Sequence, residues 1–251
     1  MAGHSKWANI KHRKGAQDKR RAKVFTRCIR EITLAARDGN PDPESNPALR
    51  LAIQNAKGAN IPKDTIERAI QKGKGGEAQG LTPLTYEGYA PGGVGIILEV
   101  YTDNINRTIA NIRTIFNKFG GNLSTNGSLD FVFSTNGVFE IPTSQLFEKD
   151  KSAIELALID GGAEDLEFSE EGILIYTSFT DFGLMNKTLE GLQLEPSNAE
   201  IRRIPANTVT LPADEAKQLL KMIERFEEDD DISTVYHNLE LTEALEAALN
   251  A

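Results

Sequence analysis

Two kinds of apolar pattern alternate between residues 94 and 239, and this alternation limits the folds that the chain can adopt. Short runs rich in β-branched and aromatic residues predict strands, and stretches with a spacing of three and four predict helices. Within residues 138–204 the predicted order is β-α-β-β-α-β, the order of a ferredoxin-like unit. Its predicted strands are 138–141, 166–168, 173–178 and 199–204, and its predicted helices are about 145–159 and 182–192.

The segments on either side predict a second α+β unit of the same type, with the first inserted at its middle. Strands are predicted at 94–102, 129–134, 208–211 and 233–239, and helices at 103–121 and 213–228. The predicted fold class is therefore α+β with three domains: a basic helical domain and two ferredoxin-like domains, one inserted in the other. The predicted ranges are 1–78 for the arm and helical domain, 79–135 and 205–240 for the discontinuous domain, 136–204 for the inserted domain, and 241–251 for a tail.

The N-terminal part predicts a flexible arm over residues 1–16 and then three helices. The first helix begins near Gln17, and Pro47 and Pro62 mark the starts of the other two. In the first helix one face is apolar and the opposite face is basic, so it can pack on one side and present cations on the other. The glycine-rich segment 73–83 is predicted to be a linker. The apolar row is Phe25, Ile29, Ile32 and Ala36, and the basic row is Arg20, Lys23, Arg27 and Arg30.

Charge is strongly polarised along the chain. Residues 1–30 contain ten Lys and Arg residues and one acid, although the whole chain has a net charge of -9. Residues 31–251 therefore carry a net charge of -18. This asymmetry indicates a polyanionic partner for the basic end, and an acidic remainder that repels the same partner.

The basic segment is accordingly predicted to bind nucleic acid. Lys and Arg side chains would contact phosphates, while Trp7 and His12 could stack on bases. Two alternatives stay open: a solvated tail, and a Trp7 side chain that fills a groove of the helical domain. The predicted nucleic-acid-binding residues are Lys6, Trp7, Lys11, His12, Arg13, Lys14, Lys19, Arg20, Arg21, Lys23, Arg27 and Arg30.

No catalytic or metal-binding pattern emerges from the sequence. His4, His12 and His237 lack the spacing of metal ligands, and Cys28 is predicted to be a small buried group. The acidic run 227–231 is predicted to be a solvated helix end, and "QKGKGGE" lacks the spacing of a phosphate-binding loop. We therefore expect no enzymatic activity, no cofactor and no metal.

Membrane partners are not expected either, because no apolar run approaches the length of a membrane span. The basic N-terminus lacks the apolar core of a secretory signal. A mitochondrial presequence has a similar composition, and composition alone leaves that alternative open.

Three stretches resemble a known family. "AGHSKWANIKHRKGAQDKRRAKVFTR" at the N-terminus, "GGNLSTNGSLDFVF" at 120–133 and "VYHN" at 235–238 are similar to the YebC/PmpR family of bacterial proteins. Its mitochondrial relatives include the translational activator of cytochrome c oxidase. The resemblance implies three domains, a cytoplasmic location and a role as DNA-binding transcriptional regulators. Because the motif begins at the first residues, it argues against a presequence.

The same resemblance implies a second role, since both the mitochondrial branch and the bacterial members point to the ribosome. The role implied there is to help translation through difficult sequences such as proline runs. The sequence favours contact with a nucleic-acid backbone, since cations lie in an arm and on one helix face and no helix-turn-helix is recognisable. The predicted partners are therefore DNA or ribosomal RNA through the arm, and ribosomal proteins through the acidic body. A protein–protein adaptor that uses the ferredoxin-like domains is the third hypothesis.

Overall fold

The computed structural model describes residues 17–75, 80–146, 150–242 and 245, with side chains in the first helix from Ala22 onward. The described residues form two compact units. Unit 1 takes its residues from 1–78 and 135–202, and unit 2 from 79–134 and 203–251. Within the described part there are seven α-helices and two four-stranded sheets, which confirms the mixed α+β class. The predicted arm at 1–16 and most of the predicted tail lie outside the described residues.

Unit 1 begins with three helices, which we call the head. They are α1 (Gln17–Asp38), α2 (Pro47–Gly58) and α3 (Lys63–Lys74), with starts and ends close to the prediction. Asn46 caps α2, because its side chain accepts a hydrogen bond from the N–H of Leu49. The glycine at position 73 is required by packing, since a Cβ atom there would overlap the Thr33 carbonyl of α1. The buried core residues of the head are Cys28, Ile32, Ala36, Leu49, Ala52, Ala56, Ile61, Ile66 and Ala69.

The second part of unit 1, which we call the insert, has the predicted β-α-β-β-α-β order. Its sheet has the strand order β5-β6-β4-β7, and β6 is antiparallel to both β4 and β5. Side chains of both helices and of the sheet form its core, including Phe139, Leu158 and Ile175. The elements are β4 (Phe133–Pro142), α5 (Lys151–Asp160), β5 (Ala163–Phe168), β6 (Gly172–Ser178), α6 (Phe182–Gly191) and β7 (Asn198–Pro205).

The head packs against the edge strand of the insert. The buried Asn55 side chain on α2 accepts a hydrogen bond from the Ala199 N–H (2.9 Å) and donates one to the Ala199 carbonyl (2.8 Å). Leu51 of α2 contacts the insert core, and a Cβ atom at Gly58 would overlap the backbone of Ser197. The head and the insert thus share one compact unit. The division into three domains stays a prediction.

Unit 2 contains the other sheet and two helices. The strand order is β3-β1-β2-β8, and β2 is antiparallel to both of its neighbours. The two helices contact each other through Phe116 and Phe226, whose ring centroids lie 5.0 Å apart. The elements are β1 (Thr82–Tyr89), β2 (Gly95–Thr102), α4 (Ile105–Lys118), β3 (Asn122–Leu123), α7 (Ala213–Glu227) and β8 (Ile232–His237).

Two strand predictions were wrong, one strand was missed, and one strand begins earlier than predicted. Strand β1 was not predicted, because Pro83, Glu87 and Gly88 interrupt its alternation. The predicted strand at 129–134 is mostly a turn, in which the N–H of Phe133 donates to the Leu129 carbonyl. Strand β4 begins at Phe133, five residues before the predicted start at 138. The predicted strand at 208–211 is reduced to a single bridge between Val209 and Leu239.

We predict that Asn55→Ala lowers the free energy of unfolding by about 1–3 kcal/mol, because it leaves the buried N–H and carbonyl of Ala199 without their side-chain partner. Lys57→Ala on the exposed side of the same helix is the matched control, with an expected change within about 0.5 kcal/mol. Urea unfolding followed by circular dichroism measures both values. Equal midpoints for the two variants would contradict the proposed importance of the contact.

Candidate nucleic-acid interface

Helix α1 is the part of the predicted interface that the structure describes best. Its apolar row packs into the head: Ile32 and Ala36 are buried, and Phe25 and Ile29 pack partly against the same core. Cys28 belongs to this buried face as well, and burial raises the pKa of its thiol to about 11. A helix packed in this way leaves its other face for the basic row.

The twelve predicted contact residues fall into three groups. Six lie outside the described residues, and three lie at the start of α1, where only the backbone is described. The last three have described, partly exposed side chains. Nucleic-acid contact by any of them stays a prediction. The groups are Lys6, Trp7, Lys11, His12, Arg13 and Lys14; then Lys19, Arg20 and Arg21; then Lys23, Arg27 and Arg30.

Arg27 has an internal role that the sequence did not indicate. Its Nη1 atom lies 3.1 Å from Glu200 Oε2 on strand β7, and its Nε atom lies 3.6 Å from Glu31 Oε1. Glu200 also pairs with Arg202, which in turn pairs with Glu140 on β4 at 2.6 Å. Arg27 therefore links α1 to the insert through a series of alternating charges.

Arg202 lies at the centre of this series. Burial alone would lower its pKa, but the Glu200 and Glu140 carboxylates raise it above the ordinary value. The charge of Arg202 is thus compensated inside unit 1.

Arg27 is also paired inside unit 1, with Glu200, and its side chain is only 19% exposed. We conclude that Arg27 contributes less to an external interface than its place in the basic row suggested.

The head also carries cations that the sequence analysis did not include in the site. Residues 1–78 hold seventeen Lys and Arg residues and eight acids, so a count over the whole domain would have drawn attention to them. Lys63 lies 3.7 Å from Glu67, and Arg68 donates to the backbone carbonyl of Asp64. The further exposed cations of the head are Arg50, Lys57, Lys63, Arg68, Lys72 and Lys74.

The acidic run 227–231 is not wholly a solvated helix end, which corrects the sequence interpretation. Asp231 is buried, and its carboxylate accepts hydrogen bonds from Arg107 (2.7 Å) and from the hydroxyls of Thr108 (2.7 Å) and Thr102 (3.2 Å). Burial alone would raise the pKa of Asp231, but these donors hold it below its usual value. The residue fixes the start of β8 against β2 and α4.

His237, in the "VYHN" motif, ends β8 as a buried side chain. Burial lowers its pKa to about 4, so it is neutral in the folded protein near neutral pH. The next residue, Asn238, accepts from the Gly95 N–H (2.8 Å) and donates to the Asn207 carbonyl (3.0 Å). The motif therefore has a structural role in unit 2.

Metal-binding clusters are not found among the described residues, and no described helix could cross a membrane. His4 and His12 lie outside the described residues. The expectations of no metal, no cofactor and no enzymatic activity stay predictions.

Comparison with known proteins places the chain in a family. Residues 5–76 match the N-terminal domain of TACO1/YebC proteins, and residues 81–239 match the second and third domains of the same proteins. The chain belongs to the TACO1/YebC family.

Named relatives cover nearly the whole chain. A protein of Amoebophilus asiaticus is 51% identical over 95% of this chain and 98% of its own length, and one of Tolumonas auensis is 45% identical over 99% of this chain and all of its own length. Both are named probable transcriptional regulatory proteins. The crystal structure of the conserved hypothetical protein Aq1575 from Aquifex aeolicus is 40% identical, with a TM-score of 0.80 over 94% of this chain and 97% of that one.

We predict that His237 makes the protein less stable in weak acid. The pKa is about 4 when folded, against the ordinary 6.5. The unfolded state therefore binds a proton first as pH falls, and stability is lost between these two values. Between about pH 7 and about pH 5 the loss should be ~2 kcal/mol.

Chemical denaturation at the two pH values measures this loss, and His237→Gln serves as the comparison because it cannot titrate. The pH dependence of the variant should be smaller by the same amount. Parallel pH profiles for the two proteins would refute the assignment.

Proposed function

We propose that this protein is a non-enzymatic regulator of gene expression that binds nucleic acid through its basic head. The observation that carries the proposal is the charge of residues 1–30, with ten cations against one acid in a chain of net charge -9. The geometry of α1 supports it, because its apolar face packs into the core of the head and leaves the other face for the basic row. The names of the relatives support a regulatory role.

Contact with the phosphate backbone fits the head better than reading of base sequence. Helix α1 holds seven cations, but α2 holds two more and α3 four, so the charge is not confined to one helix that could enter a groove. Contacts to phosphates position a protein on nucleic acid but carry no sequence information. We therefore propose binding that depends on the shape and charge of the nucleic acid.

Ribosomal RNA is the target that the charge distribution favours. Residues 135–202 hold four cations and fourteen acids, and they share one compact unit with the head. An acidic surface near a phosphate backbone is repelled within about one Debye length, roughly 8 Å at physiological salt. A cytoplasmic ribosome offers RNA for the head and basic proteins for the acidic surfaces. Promoter DNA is the second candidate, supported by the names of the relatives.

We predict that the combined change of Arg20, Lys23 and Arg30 to Ala makes the slope of log affinity against log salt concentration less steep by about two units. The reason is that each lost phosphate contact removes about 0.7–0.9 units of slope. Arg27→Ala is the matched control from the same row. Because Arg27 pairs with Glu200, its removal should lower the stability of unit 1 and change the slope little. Fluorescence anisotropy with labelled RNA over a salt series gives the slopes. An unchanged slope in the triple variant would remove α1 from the interface.

We also predict that the full-length protein binds isolated ribosomes more tightly than duplex DNA of any sequence at the same physiological salt. The physical reason is that only the ribosome offers basic protein surfaces beside the polyanion. Co-sedimentation with ribosomes and competition by DNA duplexes measure the preference. Tight, sequence-specific binding to a promoter duplex without ribosome association would support the transcriptional alternative instead.

A further inference from the structure

Phe131 is the most exposed large apolar side chain among the described residues, with 75% of its surface accessible. Its neighbours behave in the opposite way. Leu129 and Phe133 are buried, with 0% and 4% of their surfaces accessible. The chain therefore packs two apolar side chains and turns the aromatic ring between them outward.

The segment 124–132, which we call the Phe131 loop, is held by a buried carboxylate. Glu87 on β1 accepts hydrogen bonds from the N–H groups of Gly127 (2.7 Å) and Leu129 (2.8 Å) and from the Ser128 hydroxyl (3.2 Å). The Tyr89 hydroxyl adds a bond to the Ser128 carbonyl at 3.0 Å. Gly127 has a φ of 87°, a conformation that favours glycine.

Apolar packing fixes the loop at its C-terminal end. Leu129 and Phe133 form a cluster with Ile97 of β2 and Tyr236 of β8. The absence of a side chain at Gly95 makes room for Leu129, since an added Cβ would lie 2.8 Å from one of its methyl groups. These contacts hold the backbone of the loop in place, which lowers the cost of ordering it on binding.

The chemistry of the loop surface indicates what it binds. Near Phe131 in the chain the loop offers uncharged hydrogen-bonding side chains, Ser124, Thr125 and Asn126, and a single acid, Asp130. Unpaired bases are bound by this combination, in which the ring stacks on the base and polar groups contact its edge.

Helix α4, which precedes the loop in the chain, carries cations that suit a polyanion. Residues 104–134 hold three cations and one acid, whereas the rest of unit 2 holds four cations and fourteen acids. All three cations lie on α4, where Arg107 pairs with Asp103 and Asp231, and the loop itself carries only Asp130. Helix α4 is thus the basic part of an otherwise acidic unit, and it precedes the loop in the chain. Arg113 and Lys118 of α4 are exposed.

We propose that the Phe131 loop is a second RNA-binding site, at which Phe131 stacks on an unpaired base. The inference rests on the proposed function for the class of partner and adds a site on unit 2 that is separate from the basic head. Phe179 of the insert is the matched control. It is also exposed, at 60%, but it lies in the strongly acidic segment 135–202.

The first test compares the full-length protein with its Phe131→Ala, Phe131→Trp and Phe179→Ala variants. The probes are a stem–loop RNA with a large unpaired loop and a fully paired RNA duplex of the same length. Loss of one stacking contact should weaken stem–loop binding by about five- to a hundred-fold. We expect this loss for Phe131→Ala only, with no change in duplex binding or in the salt slope.

Three results separate this inference from the proposed function. If Phe131→Ala binds the stem–loop RNA as tightly as the wild type does, the Phe131 loop is not an RNA-binding site. That result would leave the proposed site on the head unaffected. If the wild type binds neither RNA, the proposed function fails as well. If the triple α1 variant weakens both RNAs alike while Phe131→Ala weakens only the stem–loop, both proposals are supported.

A second test identifies the partner in cells. A photo-crosslinking amino acid, p-benzoylphenylalanine, replaces Phe131 in one strain and Phe179 in another. We expect RNA adducts from position 131 and none from position 179. Adducts of position 131 with protein alone would overturn the inference and show that the ring enters a protein pocket.

Discussion

Strand β7 is the edge on which the arrangement of unit 1 depends. An edge strand presents backbone N–H and carbonyl groups that lack a neighbouring strand, and a buried group without a partner is costly. The head covers this edge: the Asn55 amide bonds to both backbone groups of Ala199, and Arg27 pairs with Glu200 one residue further along the strand. Contacts with β7 therefore hold the head, including the basic helix α1, against the insert.

This arrangement places opposite charges in one compact unit. The head is basic, with seventeen cations against eight acids in residues 1–78, and residues 135–202 are acidic, with four cations against fourteen acids. Among the described side chains, the Arg27–Glu200 ion pair joins the two oppositely charged parts. This distribution of charge is the reason why we propose a partner that combines a polyanion with basic surfaces in preference to isolated duplex DNA.

The sequence predicted the helices and the insert well, because proline and glycine mark the helix ends and the apolar period changes cleanly between elements. Strand β1 was missed since Gly88 breaks its pattern, and that glycine is needed because the Phe116 ring occupies the place of a side chain. The role of Asn55 could not be predicted, as a polar residue on a short helix has the same pattern whether it faces solvent or an edge strand. Phe131 was assigned to a strand, where alternation gave no sign of the turn that exposes it.

The buried acids of unit 2 explain how an acidic chain uses carboxylates inside its fold. Glu87 and Asp231 each receive three hydrogen bonds, which offset the cost of removing a carboxylate from water. Glu87 fixes the Phe131 loop, and Asp231 fixes the start of β8 against α4. Each carboxylate is occupied by its own donors and has a structural role. The two contact surfaces that we propose, the basic face of α1 and the ring of Phe131, depend on exposed groups and do not use these carboxylates.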